Sequence, residues 1–284
     1  MCNKYLILYM LTALFMLFSW PSMANTKRPT AALYHSPSSA QLEQGQLLFS
    51  WLMAQQSLKK AKSLAIKLKW HWRDNETFIS LKDKNKLGWG EYRFSKKIHN
   101  AIALQAPHRY HDKHTGVIAK KLFTKGVVSS IALNSLPRYA NSEEQNNLAD
   151  LARLPHSFHS AYARAFAATF PQGKLIQLHG FSAAKRLTPQ AQQAHIILST
   201  GSVNRSEYLL QLQLCQNKQG WKSVSYPHQT SELGATQNSI GILMRHLGHL
   251  GFTHIELNLP TRKALTTHNT KLNQFADCLL ESMP

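Results

Sequence analysis

The sequence lacks the motifs on which several common protein classes depend. It has three cysteines in 284 residues and no C-x-x-C pair, so a cysteine-based zinc or redox motif is excluded. The G-x-S-x-G turn of serine esterases is also absent, which argues against a serine nucleophile. No spacing typical of RRM, KH or zinc-finger domains occurs, and we therefore expect no nucleic-acid partner.

Acidic residues are scarce as well. Only 14 Asp and Glu stand against 33 Lys and Arg, which gives a formal charge of +19 at pH 7. A surface this basic favours polyanions such as acidic polymers or anionic lipid.

The first 24 residues predict export. Lys4 precedes an apolar run over residues 5–20, and Ser22 and Ala24 are the small residues that a signal peptidase recognises. The run is shorter than the roughly 20 residues of a bilayer span, although an uncleaved anchor is the alternative. We expect a secreted, periplasmic protein that begins at Asn25, has no membrane span and carries a charge of +18, since the segment contains one Lys and no acid.

The mature chain is predicted to contain one domain. Residues 25–40 are polar and rich in Pro and Ser, which indicates a flexible lead-in, and residues 41–284 form a single α/β domain. Residues 41–87 are predicted to extend it by an N-terminal helix and a β-hairpin. The first hairpin strand is predicted from four alternating apolar residues: Ile66, Leu68, Trp70 and Trp72.

From residue 100 onward, apolar strands alternate with amphipathic helices. The strands are NAIALQAP, GVVSSIALNS, KLIQLHGF, AHIILSTG, SVSYP and FTHIELNL. This alternation predicts an α/β/α sandwich around a mixed, mostly parallel sheet. Five histidines between the strands are expected on solvated faces: His156, His159, His246, His249 and His268.

Polar side chains stand at the ends of these strands, where open α/β sheets bind ligands. His108 and Asp112 follow the first strand, His179 ends KLIQLHGF, and Glu256 lies inside FTHIELNL. A zinc hydrolase needs three His or carboxylate ligands and a water in the fourth position. We assign His108, Asp112 and His179 to one zinc ion and Glu256 to proton transfer.

Three further residues are predicted to contact the substrate. His254 lies two residues before Glu256 and therefore on the same face of the strand, where it is expected to line the pocket or, as the alternative, only to pair with Glu256. Asn134 ends the second strand, and Arg138 follows it, placed to bind a substrate carboxylate or the oxyanion.

Four segments, in this order, resemble the zinc-dependent amidohydrolase and carboxypeptidase superfamily: APHRYHDKHTG, LNSLPR, LIQLHGF and HIELNLPTR. Within it, N-formylglutamate-amidohydrolase-like proteins and M14-like metallopeptidases are the more similar groups. The resemblance covers about residues 88–284. It implies an α/β/α sandwich with one zinc, held by a His/carboxylate pair and a later His, and a Glu on a strand near the C-terminus.

The sequence departs from this family at two places. M14 peptidases space the first pair as H-x-x-E, whereas His108 and Asp112 are four residues apart and His111 lies between them, so His111 is the alternative ligand. The closer relatives lead us to expect an Asp followed three residues later by His. Here Asp150 is followed by Arg153. Asp150 is predicted to orient a metal ligand or to lie at a helix start.

These observations predict an exported zinc hydrolase of amide bonds next to a carboxylate. Its substrate would be a small peptide or N-acyl amino acid, a cell-wall peptide or an anionic polymer. The alternative is a non-catalytic envelope protein that binds polyanions on the same fold, which would not need Glu256. Cys215 and Cys278 could pair in an oxidising compartment.

Overall fold

The structure, a computed structural model, describes residues 33–140 and 149–283. The predicted export segment and the first part of the predicted lead-in lie outside these residues. Within the described residues, no helix is both long and apolar enough to cross a membrane.

Among the described residues, nine strands form one mixed sheet. In chain order they are β1 (Trp70–Asp74), β2 (Phe78–Asp83), β3 (Glu91–Ser95), β4 (Ile102–Ala106), β5 (Ser130–Leu133), β6 (Lys174–Phe181), β7 (Ile196–Ser199), β8 (Ser223–Ser225) and β9 (Phe252–Asn258). Their spatial order is β1-β2-β3-β5-β4-β6-β9-β7-β8. The central strands β5, β4, β6 and β9 run parallel, while β1, β2 and β3 on one side and β7 on the other pair antiparallel. The expected mixed sheet with a mostly parallel centre is confirmed.

Helices cover both faces of the sheet, as expected for a sandwich. The described helices are α1 (Ser39–Met53), α2 (Leu58–Lys67), α3 (Thr115–Thr124), α4 (Phe158–Thr169), α5 (Pro189–Gln193), α6 (Glu207–Lys218), α7 (Ser239–His246), α8 (Leu259–Thr267) and α9 (Asn269–Glu281). Helices α3, α6, α8 and α9 pack on an aliphatic core at one face. Helices α1, α2, α4 and α7 pack on an aromatic-rich core at the other. We call these two sides the aliphatic side and the aromatic side.

The aromatic side changes character along the central strands. Because side chains alternate along a strand, Ala103, Leu175 and Phe252 belong to the apolar core of this side. At the next positions along the same strands, this face carries buried polar side chains: Gln105, Gln177, His179, His254 and Glu256. A buried polar region therefore begins where the aromatic core ends.

The prediction that the first strand of the hairpin starts at Ile66 is wrong. Ile66 belongs to α2 and is 61% exposed, and Leu68 caps the C-terminus of this helix. Ala61, Ala65 and Leu68 are buried at helical spacing, and this burial outweighs the alternating pattern. The strand begins only at Trp70.

Two of the histidines expected on solvated faces are buried. His159 is 1% exposed, with Nδ1 3.2 Å from the Tyr92 hydroxyl, and burial lowers its pKa to about 3. His249 is 5% exposed and donates from Nε2 to the carbonyl oxygen of Phe170 at 2.9 Å. Both imidazoles lie against the aromatic core, where burial favours the neutral form.

Candidate metal centre

The candidate site lies at the carboxyl ends of β4, β6 and β9. The register places His179 directly opposite Glu256 and Gln177 directly opposite His254. Adjacent strands thus present two polar rows on the aromatic side of the sheet. His108 and Asp112 join them from the loop between β4 and α3, and both are buried.

Three of these side chains could hold a metal ion. One donor atom each from His108, Asp112 and His179 lie within 4.8 Å of one another. Oδ2 of Asp112 is 3.6 Å from Nδ1 of His108 and 3.3 Å from Nδ1 of His179. In a tetrahedral site with metal–ligand distances of about 2.0–2.1 Å, the donor atoms are about 3.3–3.4 Å apart. The observed spacing is close to that of three ligands around one ion.

Asp150 determines which nitrogen His108 presents to the site. Oδ1 of Asp150 lies 2.6 Å from Nε2 of His108, so Nε2 carries the hydrogen and donates it. The other carboxylate oxygen accepts from Nη2 of Arg138 at 2.5 Å. In the neutral imidazole, the lone pair of His108 is then on Nδ1, which lies 3.6 Å from Oδ2 of Asp112 and 3.5 Å from Nη1 of Arg138. A carboxylate in this position orients a metal-binding imidazole.

A chain of buried amides determines the tautomer of His179. Gln105 donates to the backbone carbonyl of His159 at 3.0 Å, and Gln177 donates to the side-chain oxygen of Gln105 at 3.0 Å. This orientation turns Oε1 of Gln177 toward Nε2 of His179, 2.9 Å away, and Asn238 donates to the same oxygen. Nε2 of His179 must therefore be the protonated nitrogen, which leaves the Nδ1 lone pair facing Asp112.

This donor set fits a cation. Two imidazole lone pairs and a carboxylate oxygen face one another in a buried space, which is unfavourable unless positive charge lies between them. Burial lowers the pKa of His179, whereas for His108 the carboxylates of Asp112 and Asp150 outweigh burial and raise the pKa. Burial opposes ionisation of Asp112, yet the two imidazoles hold its pKa well below the usual range. Imidazole and carboxylate donors of this kind are typical ligands of zinc.

A second group of donors overlaps the first. One atom each from His179, His254 and Glu256 also lie within 4.8 Å of one another. Because Nε2 of His179 is bonded to Gln177, only Nδ1 remains for a metal. Both groups need this one lone pair, so they can hold only one ion between them. Glu256 lies beside that position.

Glu256 is the carboxylate of the site that has the fewest partners. Its Oε1 lies 3.8 Å from Nε2 of His254, and neither its Oε2 nor Nδ1 of His254 has a hydrogen-bond partner among the described residues. Burial raises the pKa of Glu256 to about 8, and the charge of Asp112 acts in the same direction. A buried carboxylate without partners is costly, which is typical of a functional group.

Arg262 joins the three segments that carry the site. From α8, its guanidinium donates to the backbone oxygens of Leu257 at 3.1 Å, Lys113 at 2.8 Å and Phe181 at 3.4 Å. Those residues belong to β9, to the loop before α3 and to β6. A Cβ on Gly180 would lie 2.5 Å from the Arg262 side chain, so this strand position needs glycine.

An open cavity of about 340 Å³ leads to the site. Besides the residues described above, the lining contains Ala152, Arg153, Leu233, Ala235, Thr236 and Gln237. Arg138 lines the cavity while paired with Asp150, and Arg153 donates to Gln237 at 3.3 Å.

Two residues predicted for the site lie elsewhere. Asn134 accepts from the backbone of Arg109 and donates to the carbonyl of Leu136, and it does not line the cavity. His111 is exposed, packs against Tyr139 at 5.4 Å and belongs to neither donor group.

Sequence reasoning identified Asp150 as a residue that could orient a ligand but missed the other residues that position the ligands. Gln177 and His179 alternate with leucine and isoleucine in LIQLHG, and this pattern alone could have placed Gln177 beside the histidine. No comparable local signal identifies Asn238, Arg153 or Arg262, since each reaches the site from a separate loop or helix.

The comparisons with known proteins identify no family. No protein-family model matches the chain, and no curated protein matches it. Among solved structures, N-formylglutamate amidohydrolase from Ralstonia eutropha JMP134 is similar over 68% of this chain and 94% of its own, with 11% identity and a TM-score of 0.47. A gene product from Agrobacterium tumefaciens is similar over 65% of this chain and 88% of its own, with 12% identity and a TM-score of 0.39. Both TM-scores lie below 0.5.

Proposed function

We propose that the chain is an exported zinc-dependent hydrolase of amide bonds next to a carboxylate, in a small peptide or an N-acyl amino acid. One observation carries this proposal. Nδ1 of His108, Nδ1 of His179 and Oδ2 of Asp112 face one another, and beside them is the buried carboxylate of Glu256, whose Oε2 has no hydrogen-bond partner among the described residues. Asp112 is the carboxylate ligand in this arrangement.

In the proposed reaction, the ion would activate the water and the scissile carbonyl, and Glu256 would transfer the proton. Zinc held by His108, Asp112 and His179 would lower the pKa of a bound water and polarise the scissile carbonyl. Glu256 would take up the proton of the attacking water and pass it to the leaving nitrogen. Its burial supports the donating half of this role, because burial raises the pKa of Glu256 and keeps its affinity for a proton high.

Two arginines line the cavity and favour an anionic substrate group. One carboxylate oxygen of Asp150 already accepts from Arg138, which leaves that guanidinium partly neutralised. Arg153 has only the neutral amide of Gln237 as its described side-chain partner. The substrate carboxylate would therefore meet Arg153 as well as Arg138.

Export is supported by the cysteines. Cys215 in α6 and Cys278 in α9 form a disulfide, with their Cα atoms 5.5 Å apart. Disulfides persist in oxidising compartments such as the periplasm.

The test measures bound metal and amidase activity in the same preparations. The purified protein should contain one zinc per chain, His179→Ala should lose it, and the matched control His246→Ala on the exposed face of α7 should retain it. Glu256→Gln should keep zinc and fold but lose on the order of 10²–10⁴-fold in kcat on N-acyl amino acids. Zinc affinity no tighter than micromolar in the parent would contradict the metal site. Loss of zinc from Glu256→Gln would make Glu256 a ligand, and undiminished hydrolysis would remove it from the mechanism.

A further inference from the structure

A group of unpaired positive charges lies at the β1 edge of the sheet, separated from the candidate metal centre by β3 and β5. Residues 58–86, which we call the basic edge, comprise α2, β1 and β2, and β1 is the outermost strand on this side. They contain nine Lys and Arg against three Asp and Glu. All nine cations are exposed: Lys59, Lys60, Lys62, Lys67, Lys69, Arg73, Lys82, Lys84 and Lys86.

The acids of the basic edge do not neutralise these cations. The carboxylate of Asp83 accepts backbone N–H groups of Asn85 and Trp89. Asp74 pairs with Lys96, which lies outside the basic edge, at 2.6 Å. None of the nine cations forms an ion pair with a residue that the structure describes. Their charge is therefore available to an external partner.

Helix α2 also exposes apolar side chains among its lysines. Ala61 and Ala65 are buried against the protein, while Leu58 is 41% and Ile66 61% exposed. At 100° per residue, Ile66 projects between Lys59 and Lys62 on the outer face. A helix that presents lysines and aliphatic side chains together is suited to the interface of a lipid bilayer.

We infer that the basic edge binds the surface of an anionic phospholipid bilayer. The lysines contact headgroup phosphates, each contributing about fivefold in affinity, and Leu58 and Ile66 enter the boundary between headgroups and acyl chains. A soluble polyanion would gain nothing from these two side chains. Single-stranded nucleic acid would need exposed aromatic rings, whereas the large hydrophobic side chains exposed on the basic edge are the aliphatic Leu58 and Ile66. This inference is independent of the proposed hydrolase activity.

The test uses the predicted mature protein, which begins at Asn25 and keeps every residue of the hydrophobic cores that the structure describes. Co-sedimentation is measured with vesicles of phosphatidylcholine alone and of an equal mixture with phosphatidylglycerol. The parent should bind only the mixed vesicles, and K59Q/K62Q/K67Q should bind them about 100-fold more weakly. The control K125Q/K218Q/K222Q removes the same charge from other exposed positions and should stay within about fivefold of the parent. The inference would be overturned if K59Q/K62Q/K67Q bound the mixed vesicles as well as the parent does. It would also be overturned if this variant and K125Q/K218Q/K222Q lost the same affinity.

A second variant separates lipid from soluble polyanions. L58S/I66S keeps every charge, so it should bind the mixed vesicles more weakly than the parent but bind heparin equally well. Unchanged vesicle binding by L58S/I66S would overturn the inference that the basic edge binds a bilayer, and would favour a soluble charged polymer as the partner. Circular dichroism of each variant confirms that the fold is retained.

Discussion

The two sides of the sheet use the same strands but are held together differently. On the aromatic side, the ring of Phe49 contacts five others, with centroids 4.7–6.4 Å away: Trp70, Tyr92, Phe94, Phe158 and Tyr162. The aliphatic side packs mainly Leu, Ile, Val and Ala, and the Cys215–Cys278 disulfide links its helices α6 and α9.

The difference matters because the buried polar region that holds the candidate metal ligands continues the aromatic side. The hydroxyl of Tyr92 contacts His159, whose backbone carbonyl holds Gln105, and Gln105 in turn orients Gln177 and then His179. Packing on this side therefore positions a ligand. Packing on the aliphatic side supports the sheet, and its helix α8 contributes Arg262, which joins the segments that carry the site.

The largest expected loss of stability comes from the centre of the aromatic side. Phe49→Ala should lower the free energy of unfolding by about 3–5 kcal/mol, since it removes a fully buried ring and leaves a cavity. Urea unfolding measures this loss, and zinc titration of the folded variant should show weaker binding. A loss below about 1 kcal/mol would mean that the cluster refills the cavity.

Removing the disulfide should affect stability alone. Cys215→Ser with Cys278→Ser opens a link between residues 63 apart in sequence and should cost about 2–4 kcal/mol. Zinc affinity should match that of the parent because neither cysteine lines the site cavity. Weakened zinc binding in this variant would contradict the division of roles between the two sides. Reduction of the parent by a thiol should reproduce the variant.

The part of the site that lies on strands could be predicted from the sequence. The alternation in LIQLHG and THIELN places His179 and Glu256 on one face of adjacent parallel strands, and the register sets them opposite each other. The mixed sheet followed from the same alternation of strands and helices. These features depend on local periodicity, which a single sequence contains.

The features of the site that could not be predicted from the sequence depend on contacts between distant segments. Asp150 and Arg138 are 12 residues apart, and their pairing follows from how two loops meet at His108. Arg262 contacts Lys113 across 149 residues. Around Ile66 the sequence fits both the alternation of a strand and the spacing of a helix. Burial of Ala61 and Ala65 favours the helix.

A smaller effect is expected where the metal centre meets its supporting carboxylate. Asp150→Asn keeps the shape of the side chain but removes the charge that holds Nε2–H of His108, so zinc should bind about 10–100-fold more weakly. Competition with a chelator measures the affinity. Asp277→Asn, on the exposed face of α9, is the matched control and should bind as the parent does. Equal affinities for the two variants would show that Asp150 does not orient His108.

The smallest expected effect tests whether charge contributes to the sheet as well as packing. Glu91 on β3 lies 2.8 Å from Arg93, 3.1 Å from Arg109 and 3.3 Å from Lys120. Burial opposes its ionisation, but these cations outweigh burial and lower its pKa from 4.5 to about 2. Because the folded-state pKa is the lower one, the stabilisation is fully present above about pH 4.5 and is lost as the pH falls toward 2.

Glu91→Gln should therefore be about 1–3 kcal/mol less stable than the parent at pH 7, and this difference should shrink below pH 4.5 in urea unfolding. The exposed Glu76→Gln should show no such trend, and a difference for Glu91→Gln that stayed constant with pH would assign its effect to shape instead of charge.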